Sequence, residues 1–305
     1  MKKLNAKSTL MLFLTALIWG MAFVAQSVGM DYIGPFTFTC VRSVIGGFVL
    51  IPCIWFLNKL NAKEKNTQKK LMASEEKKIL LIGGICCGLA LGIASNLQQF
   101  GVKYTTVGKA GFITALYIVL VPICGIFLKK KVGLRIWISV VVAVAGLYLL
   151  CITETLSIGK GDFLVLLCAF VFTIHILVID YFSPKVEDPV ILSCIQFFTA
   201  GMISAVPMLL FEHPAMENII AAAAPLLYAG VLSSGVAYTL QVVAQKDADP
   251  TVASLILSLE SVFSMLAGWL ILGQALSGKE LTGCALMFGA IILAQLPDKS
   301  VTETK

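Results

Sequence analysis

The chain has 305 residues, 58% of them hydrophobic and 13% charged, with a mean hydropathy of +0.93 and a net charge of +6. A soluble protein carries about 25% charged residues, so water is not the main solvent of this chain. No domain-sized stretch interleaves basic and aromatic residues, which excludes a nucleic-acid surface, and no sizeable extramembrane domain fits between the apolar runs.

Ten runs are long and apolar enough for a membrane-spanning helix, which takes ~20 residues. They cover 10–28, 35–57, 79–101, 106–127, 134–152, 162–182, 189–210, 221–243, 251–272 and 280–296. They are too long and too uniformly apolar for barrel strands, so an all-α polytopic membrane protein is expected. The first run follows Lys2, Lys3 and Lys7, as a signal peptide would, but it is long, no Ala-x-Ala site ends it, and nine more runs follow. It holds Trp19 at mid-depth beside Gly20, an unusual place for a residue that prefers the interfaces. There the ring offers a flat wall, and its N–H needs a partner.

The second run carries Arg42 roughly 10 Å from its outer end, from where it can snorkel outward or pair inside. The polar stretch 58–78 is rich in Lys and Glu and reads as a solvated loop, with a short amphipathic turn expected near Leu71 and Met72. The third run carries Gly84, Gly88 and Gly92 at four-residue spacing, and the eighth carries Gly230 and Ser234. Such spacing lets helices approach closely, and these two runs are expected to line the centre of each half. Ser95, Asn96, Gln98 and Gln99 cluster at the end of the third run, and Tyr238 and Gln241 answer them in the eighth. They suit either interhelical hydrogen bonds or a solute that needs donors and acceptors without net charge.

Lys109 lies near the start of the fourth run, where it can snorkel or attract a carboxylate; Thr114 and Tyr117 follow as weaker site candidates. His175 sits in the middle of the sixth run, either as a packed histidine with one hydrogen bond or as a cavity residue. Glu260 lies in the middle of the ninth run, where a carboxylate costs about 2.5–3.5 kcal/mol to insert. A structural pair or hydrogen bond can account for it; substrate contact or proton coupling is the functional reading. The candidate solute-binding residues are therefore Trp19, Gln98, Gln99, Lys109, Thr114, His175, Tyr238, Gln241 and Glu260.

The chain is internally duplicated. Pro35 to Gly47 reads Pro-x4-Cys-x-Arg-x4-Gly, and Pro189 to Gly201 reads Pro-x4-Cys-x-Gln-x4-Gly, with Gln196 in the place of Arg42. Leu97, Gln98 and Lys103 match Leu240, Gln241 and Lys246 in spacing. Repeats over 1–153 and 154–305 with five spans each must be inverted, because five is odd, and such folds place the solute at the repeat interface near the midplane. Of the 23 Lys and Arg, 18 fall on the side that holds both ends and four on the other, so both termini are expected in the cytoplasm.

The nine cysteines sit in apolar runs without metal-ligand spacing and read as small packing residues. No catalytic or phosphate-binding motif is present, so neither an enzyme nor a cofactor or metal site is expected. A lipid-modifying enzyme would need a clustered nucleophile, carboxylate pair or metal set, and a scaffold would need an extramembrane domain. Secondary transport remains the leading reading, with a small solute and the bilayer as partners.

Several segments resemble the EamA-type transporters of the drug/metabolite transporter superfamily. They are Leu17-Ile18-Trp19-Gly20, Arg42, the stretch from Gln98 to Thr106, Lys109 to Thr114, Val121-Pro122, His175-Ile176, Gln241, Pro250-Thr251 and Ser258-Leu259-Glu260. The resemblance covers essentially the whole chain through the order of these motifs. It implies two inverted five-helix repeats, a cavity lined by spans 1, 3, 4, 6, 8 and 9, and movement of small metabolites ranging from amino acids to nucleobases and vitamins. Many relatives carry Leu-Gly-Glu after the ninth span; here it is Leu272-Gly273-Gln274, so that carboxylate is missing.

Overall fold

The computed structural model describes residues 5–64, 74–105, 107–129, 132–151, 159–272 and 277–296. Among them no strand occurs, as a lipid environment requires of a single bundle whose backbone groups must be satisfied within each segment. The expected turn at Leu71 and Met72 and the Gly273-Gln274 site lie outside the described residues.

The helices in chain order are α1 (Ala6–Gly29), α2 (Pro35–Glu64), α3 (Ser74–Tyr104), α4 (Val107–Ala115), α5 (Tyr117–Phe127), α6 (Leu134–Cys151), α7 (Lys160–Phe182) and α8 (Pro189–Pro207). They continue with α9 (Met216–Ala221), α10 (Ala223–Leu227), α11 (Thr239–Gln245), α12 (Pro250–Leu257), α13 (Glu260–Leu272) and α14 (Gly278–Gln295). Eight spans are long and apolar enough to cross a membrane, and the shorter apolar helices Leu134–Leu149 and Leu281–Ala294 make up the fifth and tenth. Two spans thus consist of paired helices, α4 with α5 and α12 with α13, while the eighth joins α10 to α11 through a π-helical stretch, Tyr228–Tyr238.

The packing follows a pseudo-two-fold axis. The third span lies on α7 and the eighth on α1; the third also lies on α8 and the eighth on α2. α2 meets α8, and α6 meets α14, each the counterpart of the other. The architecture is ten spans in two inverted five-helix repeats. Its surface is apolar where it is exposed, with Phe127, Leu134, Met202 and Leu270 all facing outward, while Arg42, His175, Glu260 and six glutamines are buried. This reversal of the soluble pattern is what a lipid solvent selects.

The small-residue stripes seal the repeats to each other rather than lining the centre of each half. A Cβ on Gly88 would come within 2.6 Å of the Gln196 carbonyl oxygen and 2.5 Å of Thr199 Cβ, both on α8. In the same way Gly230 lies against Ile45, and Gly46 against Ser234, between α2 and the eighth span. Lipid gives helices no hydrophobic reason to associate, so close backbone approach supplies the dispersion that holds the halves together.

Helix starts show why the halves interlock. Asp188 caps α8 itself, accepting from Val190 N–H at 2.9 Å. Its counterpart ahead of α2 is Gly34, which has no side chain to do this. Glu212, from the far end of the α8 span, supplies the carboxylate instead, accepting from Phe36 N–H at 3.0 Å, Thr37 N–H at 2.7 Å and Thr37 Oγ1 at 2.7 Å. A Cβ on Gly34 would collide with that carboxylate, so the glycine and the glutamate form one device. Charge-assisted bonds to orphan N–H groups are worth about 1.5–3 kcal/mol each, so this contact ties the second repeat firmly to the first.

Candidate functional site

The fourth and ninth spans are broken at matching depths. The backbone tightens there to bonds three residues apart: Leu116 N–H to Ile113 O at 3.2 Å and Val119 N–H to Leu116 O at 3.0 Å in one, Leu259 N–H to Ile256 O at 3.1 Å and Ser261 N–H to Ser258 O at 3.2 Å in the other. In the ninth span Ser254 and Ser258 donate back to the Thr251 and Leu255 carbonyls, which favours the tighter turn. The first residue after each break is Tyr117 in one span and Glu260 in the other, and the Tyr117 hydroxyl donates to Glu260 Oε1 at 3.0 Å. The two breaks therefore meet at the repeat interface.

A narrow pocket opens at this junction. Trp19, Ala22, Phe23 and Gln26 of α1 line one side, with Arg42 of α2, Gln98 of α3, Thr114 of α4 and Tyr117 of α5. The second repeat contributes Phe172 and Ile176 of α7, Ser233, Tyr238 and Gln241 of the eighth span, and Glu260. Trp19 and Tyr238 form an aromatic wall with ring centroids 4.5 Å apart, backed by Phe197 at 5.7 Å from Tyr238. Gln98 is oriented by donating to Thr114 Oγ1 at 3.3 Å. The Trp19 indole nitrogen and the side-chain oxygens of Gln26 and Gln241 are buried without a hydrogen-bond partner among the described residues. A donor and two acceptors of this kind, with a flat apolar wall, suit a small solute that is apolar on one side and polar on the other.

Of the nine residues singled out from the sequence, Trp19, Gln98, Thr114, Tyr238, Gln241 and Glu260 line this pocket. His175 and Gln99 do not. His175 is fully buried behind the wall, its Nε2 3.2 Å from Gln196 Oε1 and its ring 6.0 Å from that of Tyr238. It supports Tyr238 from behind, the packed-histidine alternative. Gln99, one residue further along α3, turns to α1 and donates to the Gln26 backbone carbonyl at 3.0 Å, which fixes α3 to α1. The side chain of Lys109 lies outside the described residues. Asn96 of the same polar cluster bonds to Ser204 of α8 at 2.8 Å, an interhelical role.

Four pocket residues of the first repeat escaped the sequence reading as site residues: Ala22, Phe23, Gln26 and Arg42. Phe23 and Ala22 had no signal. Gln26 lies three and four residues from them and on the face that Trp19 begins, so helical spacing from Trp19 would have reached it. Arg42 stood out by its charge, but snorkelling or internal pairing favoured a structural role for it. It also adds the second span to the lining expected from spans 1, 3, 4, 6, 8 and 9.

Known proteins agree with this architecture. A model of the EamA-like transporter family matches residues 6–152 and again 159–296. A protein of Archaeoglobus fulgidus named an uncharacterized transporter is 31% identical over 286 residues, which is 93% of this chain and 84% of that one. The uncharacterized transporter YoaV of Bacillus subtilis is 25% identical over 282 residues, 91% of this chain and 92% of its own. One solved crystal structure shares the fold with a TM-score of 0.74 at 18% identity, covering 95% of this chain and 96% of that one.

Proposed function

The chain belongs to the EamA-like transporter family, and from that premise we propose that it is a secondary transporter or facilitator that carries a small metabolite across the cytoplasmic membrane by alternating access. The observation that carries this reading is the pocket at the junction of the two broken spans, walled by both repeats. Rocking one repeat against the other would open such a site first to one side and then to the other. The repeats are 1–153 and 154–305. The solute is amino-acid-like, nucleobase-like or otherwise amphipathic, since the Trp19 and Tyr238 rings accept a flat apolar group and the glutamines and Glu260 accept polar ones.

The purified chain in proteoliposomes is expected to move radiolabelled amino acids or nucleobases down their gradients without altering them. Proteoliposomes that pass no member of a broad metabolite panel faster than protein-free vesicles would count against transport.

The cytoplasmic placement of both termini rests on the Lys and Arg asymmetry. In a cysteine-depleted background, cysteines at Lys69 and Thr302 are expected to react with a membrane-impermeant maleimide only after the cells are opened. Cysteines at Asp31 and Met216 are expected to react in intact cells. Opposite labelling of Lys69 and Thr302 would rule out the ten-span arrangement.

A further inference from the structure

We propose that Arg42 is a carboxylate-binding subsite of the pocket, so that the solute carries a carboxylate at one end and meets Glu260 with its other. This deepens the transport reading and rests on it. Arg42 is 3% exposed, so its guanidinium does not snorkel to the interface. Among the described residues it makes no hydrogen bond and no ion pair, with Glu260 or with any other acid. The sequence offered two structural explanations, snorkelling and internal pairing, and neither describes where the side chain lies.

A buried cation without a partner costs several kcal/mol and persists where a ligand or solvent answers it. Arg42 is aimed into the pocket, its five N–H donors in a planar fork that matches a carboxylate. The duplicated position shows that the charge is not needed for packing. Gln196 stands there, fully buried, and its oxygen is answered by His175 at 3.2 Å. The first repeat keeps a guanidinium where the second does with an amide, and only the guanidinium reaches the pocket.

Glu260 lines the same pocket from the ninth span. The pocket thus sets a guanidinium and a carboxyl group beside the Trp19–Tyr238 wall. A carboxylate paired with an amine or another donor offers a partner to both groups.

The test uses the full chain in nanodiscs, with phenylalanine, phenylalanine amide and 3-phenylpropionate as probes, because all three place the same ring against the wall. Calorimetry is expected to show phenylalanine binding at least about tenfold more tightly than its amide, as loss of a charge-assisted pair predicts. Arg42→Gln, the residue that the second repeat uses, should cost phenylalanine and 3-phenylpropionate about tenfold or more and leave the amide within about twofold. Arg42→Lys keeps the charge but not the fork and should fall between. A wild-type protein that fails to distinguish phenylalanine from its amide, or that binds neither carboxylate, overturns the proposal without reference to any variant. So does an Arg42→Gln protein that keeps the preference. Carboxylates bound through Arg42 but not carried in proteoliposomes would leave the subsite standing and sink transport. Transport of phenylalanine that Arg42→Gln leaves unchanged would do the reverse.

Discussion

Glu260→Gln is expected to weaken solute binding by about tenfold or more, the loss set by one lost charge-assisted hydrogen bond. Glu260 is 3% exposed, begins α13 directly after the break, and faces the pocket. Among the described residues its carboxyl receives one hydrogen bond, from Tyr117 at 3.0 Å, which leaves acceptor capacity for a solute N–H. The amide keeps shape and volume but halves the acceptors and removes the charge. If Glu260 instead carries protons, the same variant behaves as a permanently protonated form: solute exchange across the membrane persists and accumulation driven by a pH gradient disappears. Binding isotherms at several pH values, with exchange and gradient-driven uptake in the same vesicles, separate the two. Unchanged binding and unchanged pH response would assign Glu260 to packing. Tyr117→Phe is the companion variant. It removes the hydroxyl that orients the carboxyl and leaves the charge, so a smaller loss, on the order of threefold, is expected.

Gly20→Ala is expected to destabilise the bundle by about 1–3 kcal/mol, the usual range for overpacking, and to reduce transport with it. A Cβ on Gly20 would meet Phe263 Cβ at 2.4 Å, the Glu260 carbonyl oxygen at 2.7 Å and the Ser264 nitrogen at 2.7 Å. Two of these atoms belong to the backbone of α13, so no rotamer change relieves the contact and α1 must move away. That movement carries Trp19, the next residue, off the pocket wall and shifts the turn that holds Glu260. Thermal unfolding in detergent measures the loss, and Gly289→Ala is the reference, since nothing lies within 4 Å of a Cβ there. Gly20→Ala melting within a degree or two of the Gly289→Ala protein would show that α1 does not depend on this approach.

The seal between the halves shows where sequence periodicity reaches its limit. Gly84, Gly88 and Gly92 announce a close approach, because small residues four apart form a groove on one helix face. They do not say what enters the groove. The occupant is α8 of the opposite repeat, in a contact that links residues more than a hundred positions apart. The breaks in the fourth and ninth spans had no sequence signal of their own either. Neither Leu116 nor Ser258-Leu259 is glycine or proline, while Pro122 sits inside α5. Apolar content runs unbroken through both spans, so a hydropathy reading sees one helix where the backbone makes two.

Composition and pattern alone determined the solvent, the ten spans and the inverted pairing of halves, because lipid admits only backbone that satisfies itself and because a five-span repeat must alternate its direction. They also picked out Trp19, Tyr238 and Glu260, since a polar or amphipathic residue at mid-depth is costly enough to stand out in a chain this apolar. Tertiary structure decided which polar residues share a cavity. His175 and Gln99 look as eligible as Gln98 and Gln241 along their helices, yet the first two turn to Gln196 and to the Gln26 carbonyl and the second two to the pocket. Arg42 went the other way, from a residue with two structural explanations to a buried guanidinium at the site. One helix rotation of about 100° per residue separates the solute face from the packing face, and which of them meets the other repeat depends on partners far along the chain.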